Sequence, residues 1–328
     1  MDTLENAGVI DNNEPLNISS AMFIDFVCPE RSTDQKIIKA IIKWSITMDE
    51  KNLYTSYELT LVLMTMARKA GYQDALPTQA TQLCEQYLSQ TEQGRSRLKR
   101  LNSRIATFIM NLVTNKAAPG VMPWLLTRKI YIEKKARAFL AKHPDGQIVN
   151  IGAGLDTLLS RLAVDYSNHA FIELDYPVVA ELKRSATAAN NITFHGCDLS
   201  KSSVEQALGN TPFNNTKPTF FLMEGLLMYL PKDIANDLLG QLLRLTSGKK
   251  TLLFSAMNDC ITHGRWMKRH NSKWEWSAKP EKLKEELADL GITPSEQMDH
   301  TAIHQQHGQH LPQPKHFYQD EYYNYAEV

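Results

Sequence analysis

The residues of this chain that could do chemistry are acids that follow short apolar segments. The first group is the turn Gly152-Ala-Gly-Leu-Asp156, which comes directly after the apolar segment 147–151 and precedes a helical pattern. A strand that runs into a G-x-G turn and then a helix lets the backbone approach a ligand closely and directs free backbone amides at it. The end of the next apolar segment carries Glu173-Leu-Asp175. An acid there can accept hydrogen bonds from both ribose hydroxyls of an adenine nucleoside.

Two more acids end the next two apolar segments. Asp198 follows residues 192–195, and its carboxylate could accept the adenine amino group while Leu199 packs on the ring. Glu224 follows residues 219–223 and could hold the ammonium of a bound methionine group. Taken singly, each acid is also explained as the cap of the following turn or helix. Acids at the ends of four successive strands favour a shared ligand instead.

The glycine turn is open to two interpretations. A dinucleotide fingerprint, G-x-G-x-x-G, needs a third glycine where this chain has Thr157, and the preceding Asp156 would repel a pyrophosphate. An adenosine ligand without phosphates fits the acids better. S-adenosyl-L-methionine is such a ligand, because its sulfonium and its ammonium are cationic. The sequence therefore favours this cofactor, with S-adenosyl-L-homocysteine as its product, over NAD or FAD.

From residue 121 onward, short apolar segments alternate with helical patterns, which indicates a parallel sheet covered by helices on both faces. Strands are predicted at 147–151, 169–174, 192–195, 219–223 and 251–256, and helices at 130–143, 157–164, 177–190, 202–208 and 233–246. The alternation of aromatic and acidic residues over 317–325 fits a last strand, which in this fold class often runs antiparallel. Such sheets bind ligands at the carboxyl ends of their strands, so the loops that carry the acids are where function is expected.

The first third of the chain has a purely helical period. Residues 1–18 are polar and are predicted to be disordered or loosely docked. Residues 19–120 are the predicted helical N-terminal region, which would cap the pocket on the substrate side or dock a partner, and residues 121–328 are the predicted core. Helices are predicted at 34–44, 53–70, 78–89 and 97–114, with a hinge at the breaker cluster 117–123. The basic residues of 93–104 are predicted to form a solvated helix face rather than a binding surface.

Composition narrows the class of protein. The chain has 328 residues, 36 basic and 36 acidic side chains and a pI near 7.1, which argues against a dedicated nucleic-acid binder. Its four cysteines lie far apart, without a CxxC pair, and are predicted to be reduced thiols of a cytoplasmic protein. The acidic start is unlike a signal peptide, and the longest apolar runs are about half the length of a membrane span. Neither secretion nor a membrane location is expected.

At this point the motifs resemble a known family, the leucine carboxyl methyltransferases. Five motifs stand in order and at suitable spacing: Arg128-x-x-Tyr-Ile-Glu133, Asn150–Thr157 followed by Arg161, Glu173–Pro177, Asp198-Leu199 and Glu224–Tyr229. The resemblance covers residues 120–260. It implies an α/β fold with the Rossmann-like sheet of class I methyltransferases, mostly parallel with an antiparallel last strand, and a helical N-terminal extension. Family members methylate the C-terminal leucine of a protein phosphatase or are linked, in bacteria, to polyketide and other small-molecule pathways.

The resemblance also implies roles for individual residues. Arg128 would hold the cofactor's carboxylate, Gly152 would contact its methionine portion, and Asp175 would bind the ribose. The full set of predicted cofactor-binding residues is Arg128, Gly152, Ala153, Gly154, Asp156, Glu173, Asp175, Tyr176, Asp198, Leu199, Glu224 and Gly225. One position departs from the family pattern, because Leu158 stands where many bacterial members have an arginine.

The segment 257–270 is basic and aromatic and stands where a substrate lid is expected. In this segment Arg265 could pair with a substrate carboxylate, and His263 could serve as a base toward a phenol. Together with Tyr229, these are the predicted catalytic residues. The competing explanation of the segment is an ordinary amphipathic surface helix.

A histidine cluster near the C-terminal end is the remaining conspicuous feature. His300 and His304, at i, i+4 spacing, could bind a metal on a helix. The glutamines and prolines around them favour a polar loop, and no metal site is predicted.

These patterns predict an O-methyltransferase that uses S-adenosyl-L-methionine to methylate a small-molecule carboxylate, in secondary-metabolite (polyketide-like) biosynthesis. Within the same scaffold, methylation of a phenol, an enol or a protein C-terminal carboxylate is the alternative. Different classes are an NAD-dependent oxidoreductase and a non-catalytic cofactor-binding interaction module. The predicted partners are a small-molecule substrate and a carrier or partner protein, without nucleic acid or membrane, and a monomer is favoured.

Overall fold

The computed structural model describes residues 54–68, 71–103, 120–199, 201–259 and 275–328, with positions 105, 107 and 108. Its helices are α1 Tyr54–Ala67, α2 Thr78–Ser89, α3 Glu92–Leu101, α4 Val121–Lys142, α5 Leu158–Asp165, α6 Pro177–Ala186, α7 Val204–Gly209, α8 Lys232–Leu245, α9 Pro280–Asp289 and α10 His300–His307. Its strands are β1 Gln147–Ile151, β2 Ala170–Asp175, β3 Ile192–Gly196, β4 Thr219–Met223, β5 Lys250–Met257, β6 Glu296–Asp299 and β7 Glu321–Glu327. The predicted tail at 1–18 and the predicted helix at 34–44 lie outside the described residues.

The strands form one seven-stranded sheet in the order β3-β2-β1-β4-β5-β7-β6. Strands β1 to β5 pair in parallel, and β7 pairs antiparallel with both β5 and β6. The predicted fold class, a mostly parallel Rossmann-like sheet whose last strand is antiparallel, is confirmed. The switch of strand order lies between β1 and β4, which is where such sheets open a crevice for a ligand.

The central strands are mostly apolar and fully buried because helices cover the sheet on both sides. All residues of β4 are buried, and so are all residues of β1. Helix α8 covers one face with residues at helical spacing: Ala235, Leu238, Leu239 and Leu242. Helix α4 covers the other face with Trp124, Tyr131 and Phe139 among its core residues. These two layers hold the carboxyl edge of the sheet in place.

Helices α1 to α3 form an extra layer beside the glycine turn. Met64, Tyr87 and Leu101 from these helices pack with Leu155 of the turn and Val179 of α6. The Tyr87 hydroxyl also lies 2.9 Å from the Ser160 hydroxyl, which ties the layer to α5. The N-terminal helices therefore cover the side of the turn that faces away from the sheet core.

Several element bounds differ from the prediction. The predicted helix at 97–114 is wrong in its limits, because α3 begins after Thr91, whose side chain accepts the Gly94 amide, and ends at Leu101. Helix α4 begins at Val121, inside the predicted hinge. Pro123 is tolerated there because amides of the first helical turn have no partner within the helix.

The predicted polar loop at the histidine cluster is also wrong. Residues 300–307 form α10, capped by the Asp299 side chain, which accepts the Ala302 amide at 2.8 Å. His300 and His304 are buried against aromatic rings, with Trp124 and Phe317 around His300. Burial lowers the pKa of His300 to about 3, so this imidazole is neutral at pH 7. Within the described residues, no three His, Cys, Asp or Glu side chains are grouped as metal ligands would be.

Within the described ranges, no helix combines the length and the apolar character that crossing a membrane would require.

The contact between α2 and α3 is tight enough to be tested. A Cβ atom added to Gly94 would lie 1.9 Å from the Leu88 carbonyl oxygen, so Gly94→Ala forces the two helices apart. We expect a loss of roughly 1–3 kcal/mol of unfolding free energy, measured by urea denaturation. Gly209→Ala is the matched control, because a Cβ atom there meets nothing within 4 Å. Equal effects of the two substitutions would contradict the packing of α2 on α3.

Candidate cofactor site

The glycine turn after β1 is held against the end of β2. Gly152 and Gly154 have φ angles of +69° and +51°, a left-handed conformation that glycine adopts without strain. The Gly152 amide donates to the Leu174 carbonyl at 2.8 Å, and the Gly154 amide donates to Oδ2 of Asp175 at 2.6 Å. The Ala153 amide also donates to the Leu174 carbonyl, at 3.4 Å. The prediction that this turn directs free amides at a ligand is therefore wrong for these three residues.

The occupied amides decide which ligands suit the turn. A pyrophosphate binds at such a turn through free backbone amides and the amino end of the following helix. At the start of α5 the Leu158 amide donates to Oδ1 of Asp156 at 2.5 Å, so a carboxylate already occupies this position. The turn consequently fits an adenosine ligand without phosphates better than a dinucleotide.

Asp175, at the end of β2, carries the carboxylate predicted to bind a ribose. Its Oδ1 accepts the Tyr176 amide at 2.7 Å, while Oδ2 accepts the Gly154 amide. Burial raises the pKa of Asp175, and these two hydrogen bonds act against that rise. Each carboxylate oxygen keeps a second lone pair. The carboxylate is thus held in one orientation and can still accept hydroxyl hydrogens.

Glu173 shares the strand with Asp175 but has a different environment. It is 2% exposed and forms an ion pair with Lys183 of α6, which is 1% exposed. The ammonium of Lys183 also donates to the backbone carbonyl of Asp156 at 2.6 Å. Burial raises the pKa of Glu173 to about 7 despite Lys183. This pair ties α6 to the glycine turn, and direct contact of Glu173 with a cofactor stays a prediction.

The residues predicted for the adenine lie beside Asp175. The Cys197 amide donates to the Asp175 carbonyl at 2.7 Å, which joins the loop after β3 to the loop after β2. Asp198 and Leu199 are partly exposed, and Asp198 lies 3.0 Å from Lys201. Tyr176 is 40% exposed. The parallel register therefore brings this group together at one edge, as the sequence predicts.

Arg128 lies at the opposite end of the crevice, on α4. Its Nε is 3.0 Å from Glu224, at the end of β4, and its Nη1 is 2.8 Å from Glu321, the first residue of β7. The indole of Trp124 donates to the same Glu321 carboxylate at 2.7 Å. Glu321 was not among the predicted site residues. Because β7 is antiparallel, its first residue pairs with Met257 at the carboxyl end of β5, and only that direction brings it here.

Lys129, next along α4, is a second residue that the sequence reasoning missed. Its ammonium contacts Oδ2 of Asp156 and lies 2.8 Å from Oε2 of Glu224. Burial would raise the pKa of Asp156, but Lys129 and Lys183 outweigh it and hold this pKa at about 2. The sequence signal that could have pointed to Lys129 is its position directly after the motif residue Arg128.

We call Asp156, Glu224, Glu321, Arg128 and Lys129 the charge cluster. Three carboxylates and two cations give it a formal charge of −1. All five side chains are at least four-fifths buried, so water screens their charges weakly. A ligand with one net positive charge would therefore bring the total charge of the cluster to zero.

Two predicted residues complete the edge of the crevice. Gly225 has a φ angle of +64°, and its amide donates to the Ser255 hydroxyl at 2.9 Å. Tyr229 lies in a short 3₁₀ turn, and burial of its hydroxyl together with Glu321 raises its pKa to about 12. At pH 7 this phenol is neutral and can donate a hydrogen bond. His263 and Arg265 lie outside the described residues.

Comparison with known proteins agrees with this geometry. The family model of leucine carboxyl methyltransferases matches residues 63–243, more than half of the chain. The chain belongs to the leucine carboxyl methyltransferase family. The resemblance drawn from the motifs is thereby confirmed, and the match extends it to the last turn of α1 and to helices α2 and α3.

Individual relatives are more distant. The chain is 31% identical over 126 residues to a protein of Mycolicibacterium vanbaalenii assigned as an S-adenosyl-L-methionine-dependent methyltransferase, a match covering 37% of this chain and 40% of the relative. It is 27% identical over 198 residues to the tetracenomycin polyketide synthesis O-methyltransferase TcmP of Streptomyces glaucescens, a match covering 60% and 65%. The matched region thus spans less than two thirds of either relative. The names of both relatives agree with the predicted enzyme class, and the name of the Mycolicibacterium relative also agrees with the predicted cofactor.

A solved structure supports the fold. A protein of Thermobifida fusca assigned as a methyltransferase superimposes with a TM-score of 0.50 at 17% identity, covering 78% of this chain and 97% of the other. At this identity the likeness concerns the fold alone.

The buried pair of Glu173 and Lys183 gives a test of how the turn is held. Lys183→Met leaves the Glu173 carboxylate without its partner, and we expect a loss of roughly 3–5 kcal/mol of unfolding free energy at pH 8. Because burial raises the folded-state pKa of Glu173, protonation relieves this loss at low pH, and the stability returns as pH falls below that pKa.

Urea denaturation at about pH 5.5 and about pH 8 checks the Lys183→Met expectation. The double variant Glu173→Gln/Lys183→Met is the control and should recover much of the stability. A pH-independent loss that persists in the double variant would show that the turn depends on the hydrogen bond from Lys183 to the Asp156 carbonyl, and not on the ion pair with Glu173.

Proposed function

We propose that this protein is an S-adenosyl-L-methionine-dependent methyltransferase that methylates the carboxylate of a small molecule. The observation that carries the proposal is the combination of a glycine turn whose Gly152, Ala153 and Gly154 amides are bonded to β2 and a charge cluster that lacks one positive charge. A sulfonium adenosine ligand brings that charge and no phosphate. Family membership supports the same cofactor.

The residues of the crevice fit this cofactor. Asp175 would hold the ribose hydroxyls, and Asp198 with Leu199 would hold the adenine. Asp156 and Glu224 would face the cationic methionine end, while Arg128 retains Nη2 for its carboxylate after Nε and Nη1 have paired with acids. The bound cofactor supplies an activated methyl group. The protein contributes orientation and exclusion of water, which is what an in-line methyl transfer needs.

A carboxylate acceptor suits the described part of the site. A carboxylate is ionised at pH 7 and attacks without a general base, whereas a phenol benefits from one. Tyr229 is a neutral phenol at pH 7 and cannot serve as that base. Its hydroxyl can instead donate a hydrogen bond to an acceptor oxygen. A phenol or enol acceptor would depend on a base outside the described residues, such as His263.

The polyketide relative supports a role in secondary-metabolite biosynthesis. The thiols of Cys84 and Cys197 are free, which is typical of a cytoplasmic protein. The family's own description favours a second candidate, methylation of a protein C-terminal leucine. In that case the layer formed by α1 to α3 would receive a peptide tail.

Label transfer tests the reaction. Purified protein is incubated with methyl-labelled S-adenosyl-L-methionine and an extract of cells that lack the gene, and the products are separated by size and treated with mild alkali. We expect label in the small fraction that alkali releases as methanol, because methyl esters hydrolyse. Label that survives alkali would replace the carboxylate with a phenol, enol or amine, and labelled protein would favour the second candidate.

Binding of the cofactor tests the site directly. Asp175→Ala removes the acceptor of two ribose hydroxyls, and we expect calorimetry to give a loss of binding free energy on the order of 2–4 kcal/mol for S-adenosyl-L-homocysteine. Asp165→Ala is the matched control, since Asp165 is an exposed acid at the end of α5 paired with Arg137. An unchanged dissociation constant in Asp175→Ala would remove Asp175 from the site.

A further inference from the structure

Lys129 lies in the crevice and contacts Asp156 and Glu224, the two acids proposed above to face the methionine end of the cofactor. Asp156 follows β1 and Glu224 follows β4, the neighbouring strands on either side of the crevice. The Lys129 side chain is 16% exposed, and each acid side chain is 9% exposed. The ammonium therefore occupies a buried position between the two strand ends.

The contacts of the two acids show which of their carboxylate oxygens Lys129 occupies. Oδ1 of Asp156 accepts the Leu158 amide, and Oε1 of Glu224 pairs with Arg128. The other two oxygens, Oδ2 of Asp156 and Oε2 of Glu224, both contact the ammonium of Lys129. These are the oxygens that would otherwise receive a positive charge from a ligand.

We propose that Lys129 is an internal cation that competes with the positive charges of S-adenosyl-L-methionine for Asp156 and Glu224, and so determines how strongly the pocket distinguishes this cofactor from S-adenosyl-L-homocysteine. The inference rests on the proposed function. With Lys129 in place the charge cluster carries −1, and without it the cluster carries −2. The cofactor has one positive charge more than its product, so Lys129 weakens the binding of the cofactor more than that of the product.

A small cavity lies beside Lys129. A cavity of about 30 Å³ borders Lys129 and Asp156. Its other walls include Leu63 of α1 and Ala80 of α2. A cavity of this size has room for about one water molecule, which can solvate the ammonium when a ligand takes its place between the two acids.

The same arrangement favours product release. The two acids attract the neutral thioether of the product less strongly than the sulfonium of the cofactor. Once methyl transfer has removed the positive charge, the ammonium of Lys129 can pair with both acids again. Lys129 thus lowers the affinity of the pocket for the cofactor and for its product. Because it lowers the affinity for the cofactor more, it also reduces the preference for the cofactor over the product.

Isothermal titration calorimetry of Lys129→Met with S-adenosyl-L-methionine and with S-adenosyl-L-homocysteine tests the proposal. We expect S-adenosyl-L-methionine to bind about tenfold more tightly to Lys129→Met than to the wild type. The affinity for S-adenosyl-L-homocysteine should increase by a smaller factor. The ratio of the dissociation constant of S-adenosyl-L-homocysteine to that of S-adenosyl-L-methionine therefore rises. A purely structural lysine would not change that ratio.

Two further variants complete the test. Lys135→Met is the matched control on the same helix, because Lys135 is 18% exposed and pairs with Glu296, away from the pocket. It should leave both affinities unchanged. Lys129→Gln is neutral but still able to donate hydrogen bonds to the two acids, and it replaces Lys129→Met if that variant does not fold.

The outcomes separate this inference from the proposed function. A wild type that binds neither ligand overturns both. A wild type that binds both, with an unchanged ratio in Lys129→Met and in Lys129→Gln, overturns only the role of Lys129. Weaker cofactor binding in these variants would instead make Lys129 a residue that holds the cofactor, which also contradicts internal competition.

Discussion

The ion pairs of Arg128 are the interaction on which the rest of the site depends. They join α4 to the end of β4 through Glu224 and to the start of β7 through Glu321. A buried charge that loses its partner costs several kcal/mol, so moving any of these three elements away from the others is strongly destabilising. The antiparallel last strand is thus part of the crevice as well as of the sheet.

The two ends of the crevice are organised by different means. At the end near Asp175, backbone amides of the glycine turn are bonded to β2, and Lys183 donates to the carbonyl of Asp156 in the turn. At the end near Arg128, the charges of the side chains are balanced to within one negative charge. The first arrangement fixes shape, and the second sets which charge a ligand must carry. Together they favour a cationic adenosine ligand, and the same contacts stabilise the fold.

Local pattern was sufficient wherever burial is continuous. Strands β1 and β4 were predicted residue for residue, because a short, mostly apolar segment between breakers has one interpretation in an alternating chain. Strand β6 was missed because Glu296–Asp299 is a short, largely polar strand at the sheet's edge. The histidines of α10 were assigned to a loop because their burial depends on rings from α4 and from Phe317, which no local pattern reveals.

The sequence by itself determined the class of the sheet, the acids at its strand ends and the family, since each of these is written within a few consecutive residues. Only the tertiary structure decided how those acids are used. Lys129 meets Asp156 and Glu224 across separations of 27 and 95 residues, and Arg128 meets Glu321 across 193. Such pairs follow from strand order and helix packing, and therefore from the whole chain. That is the physical reason why the sequence alone does not show that Lys129 already pairs with Asp156 and Glu224.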